Sequence, residues 1–354
     1  MALHAVLCAP RGGWPAKKVF LNFEKLRTSF HSSLRQISLQ NRIFIDTEVT
    51  MQFTGCGTAL ITPFQRDFSL DEAALRKLVQ RQIRGGVDFL VPCGTTGESP
   101  TLTRREYLRV IEITMQESAR KIPVLAGAGG YNTSEVTELA CEIESLGADG
   151  LLSVTPYYNK PTQEGLYQHY RAIAQSTRLP IVLYNVPGRC GTNLEPSTVK
   201  RLAAIENIAG IKEASGNISQ MGALANAVPE DFVILSGDDA IALPLFALGG
   251  RGVISVASNE IPAEIAQLCR HGLHGEFEKA RAIHRKFLPL MEMNFIESNP
   301  IPVKAALSLM GLVEPVWRLP MVPPKAENLE RIRAVLESLQ LYERASVAVA
   351  SVAH

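Results

Sequence analysis

The sequence predicts an α/β fold, a (β/α)8 barrel followed by a small C-terminal helical subdomain. Three observations carry that expectation. From residue 57 onward one unit recurs: a short apolar run, a loop rich in Gly, Pro, Ser or Thr, then a longer amphipathic stretch. Strands that alternate with helices pair in parallel through right-handed crossovers, and eight such units favour closure over an open doubly wound sheet. The glycine fingerprint of an open dinucleotide fold also fails. Its nearest approach, Gly127-Ala128-Gly129-Gly130-Tyr131-Asn132, follows the third apolar run rather than the first and lacks the last glycine.

In chain order the strands are expected at 57–62, 89–92, 123–126, 150–154, 181–185, 208–212, 232–236 and 252–255. Helical patterns lie between them at 71–84, 104–118, 134–146, 164–176 and 196–204, with Ser69, Thr103 and Thr133 as candidate caps. After the eighth strand, patterns at 263–270, 276–293, 302–310 and 326–339 supply the last barrel helix and the subdomain. The chain therefore divides into an extension outside the fold (1–50), the barrel (51–270), the helical subdomain (271–341) and a fraying tail (342–354). The extension is basic, with Arg11, Lys17, Lys18, Lys25, Arg27, Arg35 and Arg42, and shows no sustained period. Its composition partly matches a transit peptide, but we favour an upstream extension with no structural role or an artefact of the chosen start codon.

Composition narrows the function classes. With 46% hydrophobic and 20% charged residues, the chain has ample material for a core, which argues against disorder. A net charge of +1 gives no electrostatic footprint for nucleic acid or an anionic membrane. No apolar run approaches the roughly 18 residues that a membrane span needs. The six cysteines form no C-x-x-C pair and the histidines show no metal spacing, so we expect no metal, a reducing compartment and a cytoplasmic location.

Barrel chemistry belongs at the C-terminal ends of the strands. Strand six reads Ile208-Ala209-Gly210-Ile211-Lys212-Glu213, and alternation leaves two registers open. In one, Lys212 points inward as a desolvated, neutral amine suited to Schiff-base formation, with Gly210 leaving room for its stem. In the other, Lys212 is a surface lysine paired with Glu213. Strand five places Tyr184 at the same mouth and Arg189 just beyond; the tyrosine either relays protons or simply closes the barrel top. The Cys93-Gly94-Thr95-Thr96-Gly97-Glu98-Ser99 loop could converge backbone N–H groups on a carboxylate, or be an ordinary turn. Tyr157 and Tyr158 lie in a stiff loop between Pro156 and Pro161 that suits an interface.

Taken together, Gly94-Thr95-Thr96-Gly97-Glu98-Ser99, the Thr155 to Pro161 loop, Leu183 to Arg189, and Gly210 to Asn217 resemble the dihydrodipicolinate synthase family, within the wider N-acetylneuraminate lyase group. The stretches Ser236 to Ala240, Gly249 to Val256 and Asn299 to Leu307 are similar too. The resemblance implies a homotetramer of tight dimers that condenses pyruvate with aspartate 4-semialdehyde in the diaminopimelate and lysine pathway, without metal or organic cofactor. It implies Lys212 as the Schiff-base nucleophile, and Tyr184, Thr95 and Tyr158 as a proton relay, with Tyr158 reaching in from a neighbouring subunit. Thr96 would hold the pyruvate carboxylate, with Gly237 and Ile254 nearby, and Arg189 would hold the acceptor's carboxylate.

One departure bears on regulation. Lysine-inhibited members resemble each other in a dimer-cleft pocket with histidines where this chain has Arg104 and Tyr107, and with an asparagine where it has Tyr131. Ser99, Glu135 and Tyr157 still match, which implies weak lysine binding, while the departures imply weak or absent feedback inhibition. The rival readings are a sister Schiff-base lyase acting on a sugar acid or hydroxy-keto acid, against which Arg189 and the tyrosine pair argue, and an inactive scaffold barrel.

Overall fold

The computed structural model describes residues 53–342, so the expectations for 1–50 and for the tail beyond residue 342 lie outside the described residues. Eight short strands run in chain order: β1 (Gly55–Ala59), β2 (Phe89–Val91), β3 (Leu125–Gly127), β4 (Gly150–Val154), β5 (Ile181–Asn185), β6 (Ile208–Glu213), β7 (Val233–Ser236) and β8 (Gly252–Ser255). Each pairs in parallel with its sequence neighbours, β1 pairs with β8, and a parallel bridge between Leu90 and Val124 joins β2 to β3. The ring is closed, and the fold is a (β/α)8 TIM barrel. None of the helices among the described residues is long and apolar enough to cross a membrane.

Strand alternation sorts the apolar residues into two cores. Phe89, Leu125, Leu152, Val182, Val233 and Ile254 fill the barrel interior. Leu90, Leu151, Leu183, Ile211, Ile234 and Val253 face the helical ring instead. Both sets are buried, which is why each strand reads as a nearly continuous apolar run.

The expected bounds of β4, β5 and β8 coincide with those observed, whereas β1 and β3 shift by about one pleat. β1 begins at Gly55, whose φ of +85° packs against Asp88, and ends at Ala59. β3 begins at Leu125, because Pro123 has no N–H to give and enters the ladder only as the acceptor for Leu90 N. Two caps also move. Asp71, not Ser69, caps the helix Glu72–Gly85 by accepting from Ala74 N, and Asn132, not Thr133, caps Thr133–Ser145. Thr103 does cap Arg104–Ser118, in a reciprocal capping box with Glu106.

The C-terminal helices are Pro262–Leu273, Phe277–Met293, Ile301–Leu309 and Ala326–Ser338. The helix Ile301–Leu309 matters most for function. Its Val303 and Leu307 pack with Ile61 and Val256, which come just after β1 and β8, and with Leu78 of the helix Glu72–Gly85.

Candidate active site

Strand β6 resolves the register question. Glu213 takes its hydrogen bonds from Asn185 Nδ2 at 2.9 Å and Ser215 N at 2.7 Å, so it faces away from Lys212. Lys212 points into the barrel, 6% exposed, with Tyr184 of β5 and Leu235 of β7 as its strand partners. Its Nζ lies 4.2 Å from the centre of the Tyr184 ring. Among the described residues no carboxylate forms an ion pair with it. Burial therefore pulls its pKa down to about 7; the buried Asp239 carboxylate opposes that shift and Arg189 adds to it. An amine with that pKa is half neutral at neutral pH.

One glycine explains how the lysine fits, and it is not the one that the sequence suggested. A Cβ on Gly210 would come 2.4 Å from the Val233 carbonyl oxygen, so that glycine serves the close approach of β7 rather than the lysine stem. The stem is accommodated by Gly237, where a Cβ would lie 3.0 Å from Lys212 Cε and 2.5 Å from Ala214 Cβ.

Tyr184, the neighbour of Lys212, lines a cavity of about 380 Å³ together with Thr95 and Arg189; Lys212 itself is not part of the wall. Burial pushes the Tyr184 phenol up, against the pull of Arg189 and of a hydrogen bond from Thr95. Lys212, Tyr184, Thr95 and Arg189 thus converge. Thr96 and Ile254 are buried around them: the Thr96 hydroxyl accepts from Asn299 Nδ2 at 2.9 Å, and Ile254 packs in the same interior cluster as Tyr184. Tyr158 stands apart, 81% exposed, next to Tyr131 and Tyr157 in an exposed aromatic group.

Of the residues that resemble an effector pocket, Ser99 and Tyr157 line the same cavity, while Glu135 is exposed and accepts from Asn132 Nδ2 at 2.8 Å. Tyr107 also lines it, with its hydroxyl given to the Gly127 carbonyl at 2.9 Å, and Arg104 is engaged with Glu142 at 2.9 Å.

Sequence reasoning passed over two features. Asp239 is 2% exposed, accepts from Val256 N and Ala257 N at 2.9 and 3.0 Å, and among the described residues is the acid whose charge bears on Lys212. Its signal was a second acid in an otherwise apolar run after β7. The other is the bracing of the 94–101 loop. Glu98, at φ +50°, is buried in an ion pair with Lys304, accepts from Arg318 N at 3.2 Å, and lies two residues from Thr96. No local pattern reveals a pair 206 residues apart.

Comparison with known proteins agrees with this geometry. A 4-hydroxy-tetrahydrodipicolinate synthase of Koribacter versatilis (strain Ellin345) is 50% identical over 299 residues, covering 84% of this chain and all of the relative. Two crystal structures superimpose closely. One is the chloride-inhibited dihydrodipicolinate synthase of Acinetobacter baumannii complexed with pyruvate (42% identity, TM-score 0.81, 82% of this chain and 100% of that one). The other is the enzyme of Cyanidioschyzon merolae with lysine bound (41%, TM-score 0.79, 82% and 99%). The sequence signature of the Dihydrodipicolinate synthetase family matches residues 52–339, and the chain belongs to that family.

Proposed function

We propose that this chain is a 4-hydroxy-tetrahydrodipicolinate synthase, condensing pyruvate with L-aspartate 4-semialdehyde through a Schiff base on Lys212. The observation that carries the reading is the inward, unpaired Lys212, lowered to about 7 by burial and set beneath Tyr184 at the mouth of the barrel. The neutral amine adds to the pyruvate keto carbon, and loss of water leaves an iminium. The iminium makes the methyl group acidic, and removal of one proton gives the enamine whose carbon attacks the aldehyde. A phenol held above its ordinary pKa stays protonated at neutral pH, so Tyr184 accepts a proton only as it passes its own on, first to Thr95.

In this reading Thr96 holds the pyruvate carboxylate beside Gly237 and Ile254, and Arg189 receives the carboxylate of the semialdehyde. The exposed Tyr158 completes the relay of a neighbouring subunit, which makes the working unit a tight dimer within a homotetramer. The reaction uses no metal or organic cofactor, and the enzyme works in the cytoplasm. Lysine binds weakly, because the pocket offers Tyr107 and Arg104 where sensitive relatives offer histidines, and both side chains are already engaged.

The test is incubation with pyruvate and borohydride, peptide mapping by mass spectrometry, and a condensation assay with the semialdehyde. A reduced pyruvyl adduct on Lys212 together with turnover is the expected result. An adduct without turnover would redirect the reading to a sister aldolase, and no adduct would end the Schiff-base reading.

A further inference from the structure

Asn299 is 4% exposed and lies between the two proposed carboxylate-holding residues. Its side-chain Nδ2 donates to Thr96 Oγ1 at 2.9 Å, and its main-chain carbonyl accepts from Arg189 Nη2 at 3.3 Å. Its side-chain Oδ1 is buried with no hydrogen-bond partner among the described residues. An orphaned buried acceptor is costly, so an apolar side chain of the same size would serve packing better. What the asparagine supplies is a donor aimed at Thr96. The segment that carries it is fixed against the Thr96 loop by the buried Lys304–Glu98 ion pair and by Arg318 N.

We propose that Asn299 is a positioning residue that sets the hydrogen-bond direction of Thr96 and the reach of Arg189, so that the two substrate carboxylates are recognised as a pair. The inference rests on the function proposed above. A hydroxyl has one hydrogen to give and two lone pairs to accept with. Because Asn299 donates to the Thr96 oxygen, the Thr96 hydrogen stays free for another acceptor, and an anionic carboxylate is the strongest one available. An aspartate at this position has the same shape but no hydrogen to give. It takes the Thr96 hydrogen for itself, sets a negative charge beside the donor site, and draws Arg189 inward.

The test compares Asn299→Asp and Asn299→Ala in the full chain, varying pyruvate and aspartate 4-semialdehyde separately, with thermal melts and borohydride trapping at saturating pyruvate. Asn299→Asp is expected to raise the pyruvate KM by about tenfold to a hundredfold, the scale of one hydrogen bond to a charged group. The semialdehyde KM rises by a smaller factor, and kcat stays within about threefold of the parent. Asn299→Ala raises both KM values less, although it leaves the larger void. In a Thr96→Val background the effect of Asn299→Asp on the pyruvate KM shrinks by at least about threefold, because the two residues act through one bond.

A purely structural asparagine would give the reverse order, with alanine worse than aspartate on both KM values and in step with the melting temperature; that result overturns the proposal. So do KM values within about twofold of the parent in Asn299→Asp. Should Asn299→Asp fail to fold, Asn299→Ala decides alone: raised KM values with full trapping at saturation support the proposal, and unchanged KM values overturn it. Failure of the underlying function looks different, since the parent chain itself would then give neither adduct nor turnover.

Discussion

Lys212 and Lys304 are both buried, 6% and 0% exposed, and each holds its Nζ over an aromatic ring, Tyr184 at 4.2 Å and Phe64 at 4.4 Å. Burial pulls both amines down. They differ in what stands beside them. Lys304 is paired directly with Glu98, whose second oxygen accepts from Arg318 N, so its charge is spent on holding a loop. Lys212 has Asp239 acting only through space, and its neighbour Tyr184 borders an open cavity. Under the proposed function, what separates a reactive lysine from a structural one is therefore not burial but the absence of a bonded carboxylate.

Substituting each lysine by methionine is the most direct way to break the comparison. Lys212→Met should abolish the pyruvate adduct and lower turnover by on the order of 10⁴-fold or more, with a melting temperature at or above that of the parent. Lys304→Met should do the opposite. It strands the Glu98 carboxylate in the interior and costs about 3–5 kcal/mol in urea denaturation, while the Lys212 adduct still forms at saturating pyruvate in the folded fraction. A folded Lys304→Met variant that gives no adduct would merge the two roles. Next in size is Tyr184→Phe, which keeps the ring over Lys212 but removes the hydroxyl; kcat should fall on the order of 10²-fold, and unchanged turnover would remove Tyr184 from the relay.

The smallest effect concerns pH. With Lys212 near 7, the neutral amine predominates above that value and is lost as pH falls through it. The rate of imine formation under single-turnover conditions should therefore level off above about pH 8 and drop about tenfold per unit well below 7. A profile still rising steeply at pH 9 would mean an amine close to its ordinary pKa, and would erase the electrostatic difference between the two lysines.

Much of this was legible in the sequence because the signals are local. Ile181 to Asn185 and Gly252 to Ser255 are bounded by turn residues and read directly as strands. Lys212, Tyr184 and Arg189 announce themselves as polar residues at the ends of apolar runs. The errors have local causes as well: at Asp71 and Asn132 a second capping side chain stood next to the residue chosen, and Pro123 took part in the ladder through its carbonyl alone. The role of Gly237 needed the neighbouring strand, since only there does Lys212 Cε approach. Glu98, Asn299 and Lys304 were visible only as members of stretches that resemble the family, because their partners lie more than 200 residues away along the chain.

The same separation imposes a schedule on the ribosome. The 94–101 loop and both flanking strands leave the exit tunnel long before Lys304, 206 residues downstream of Glu98. At about 5–20 residues per second, that interval is roughly 10–40 s. Throughout it, nascent Glu98 has no Lys304 to meet, and Thr96 has no Asn299. The loop that carries Thr95 and Thr96 can therefore take its final bonded form only near the end of translation, after every strand of the barrel has been made.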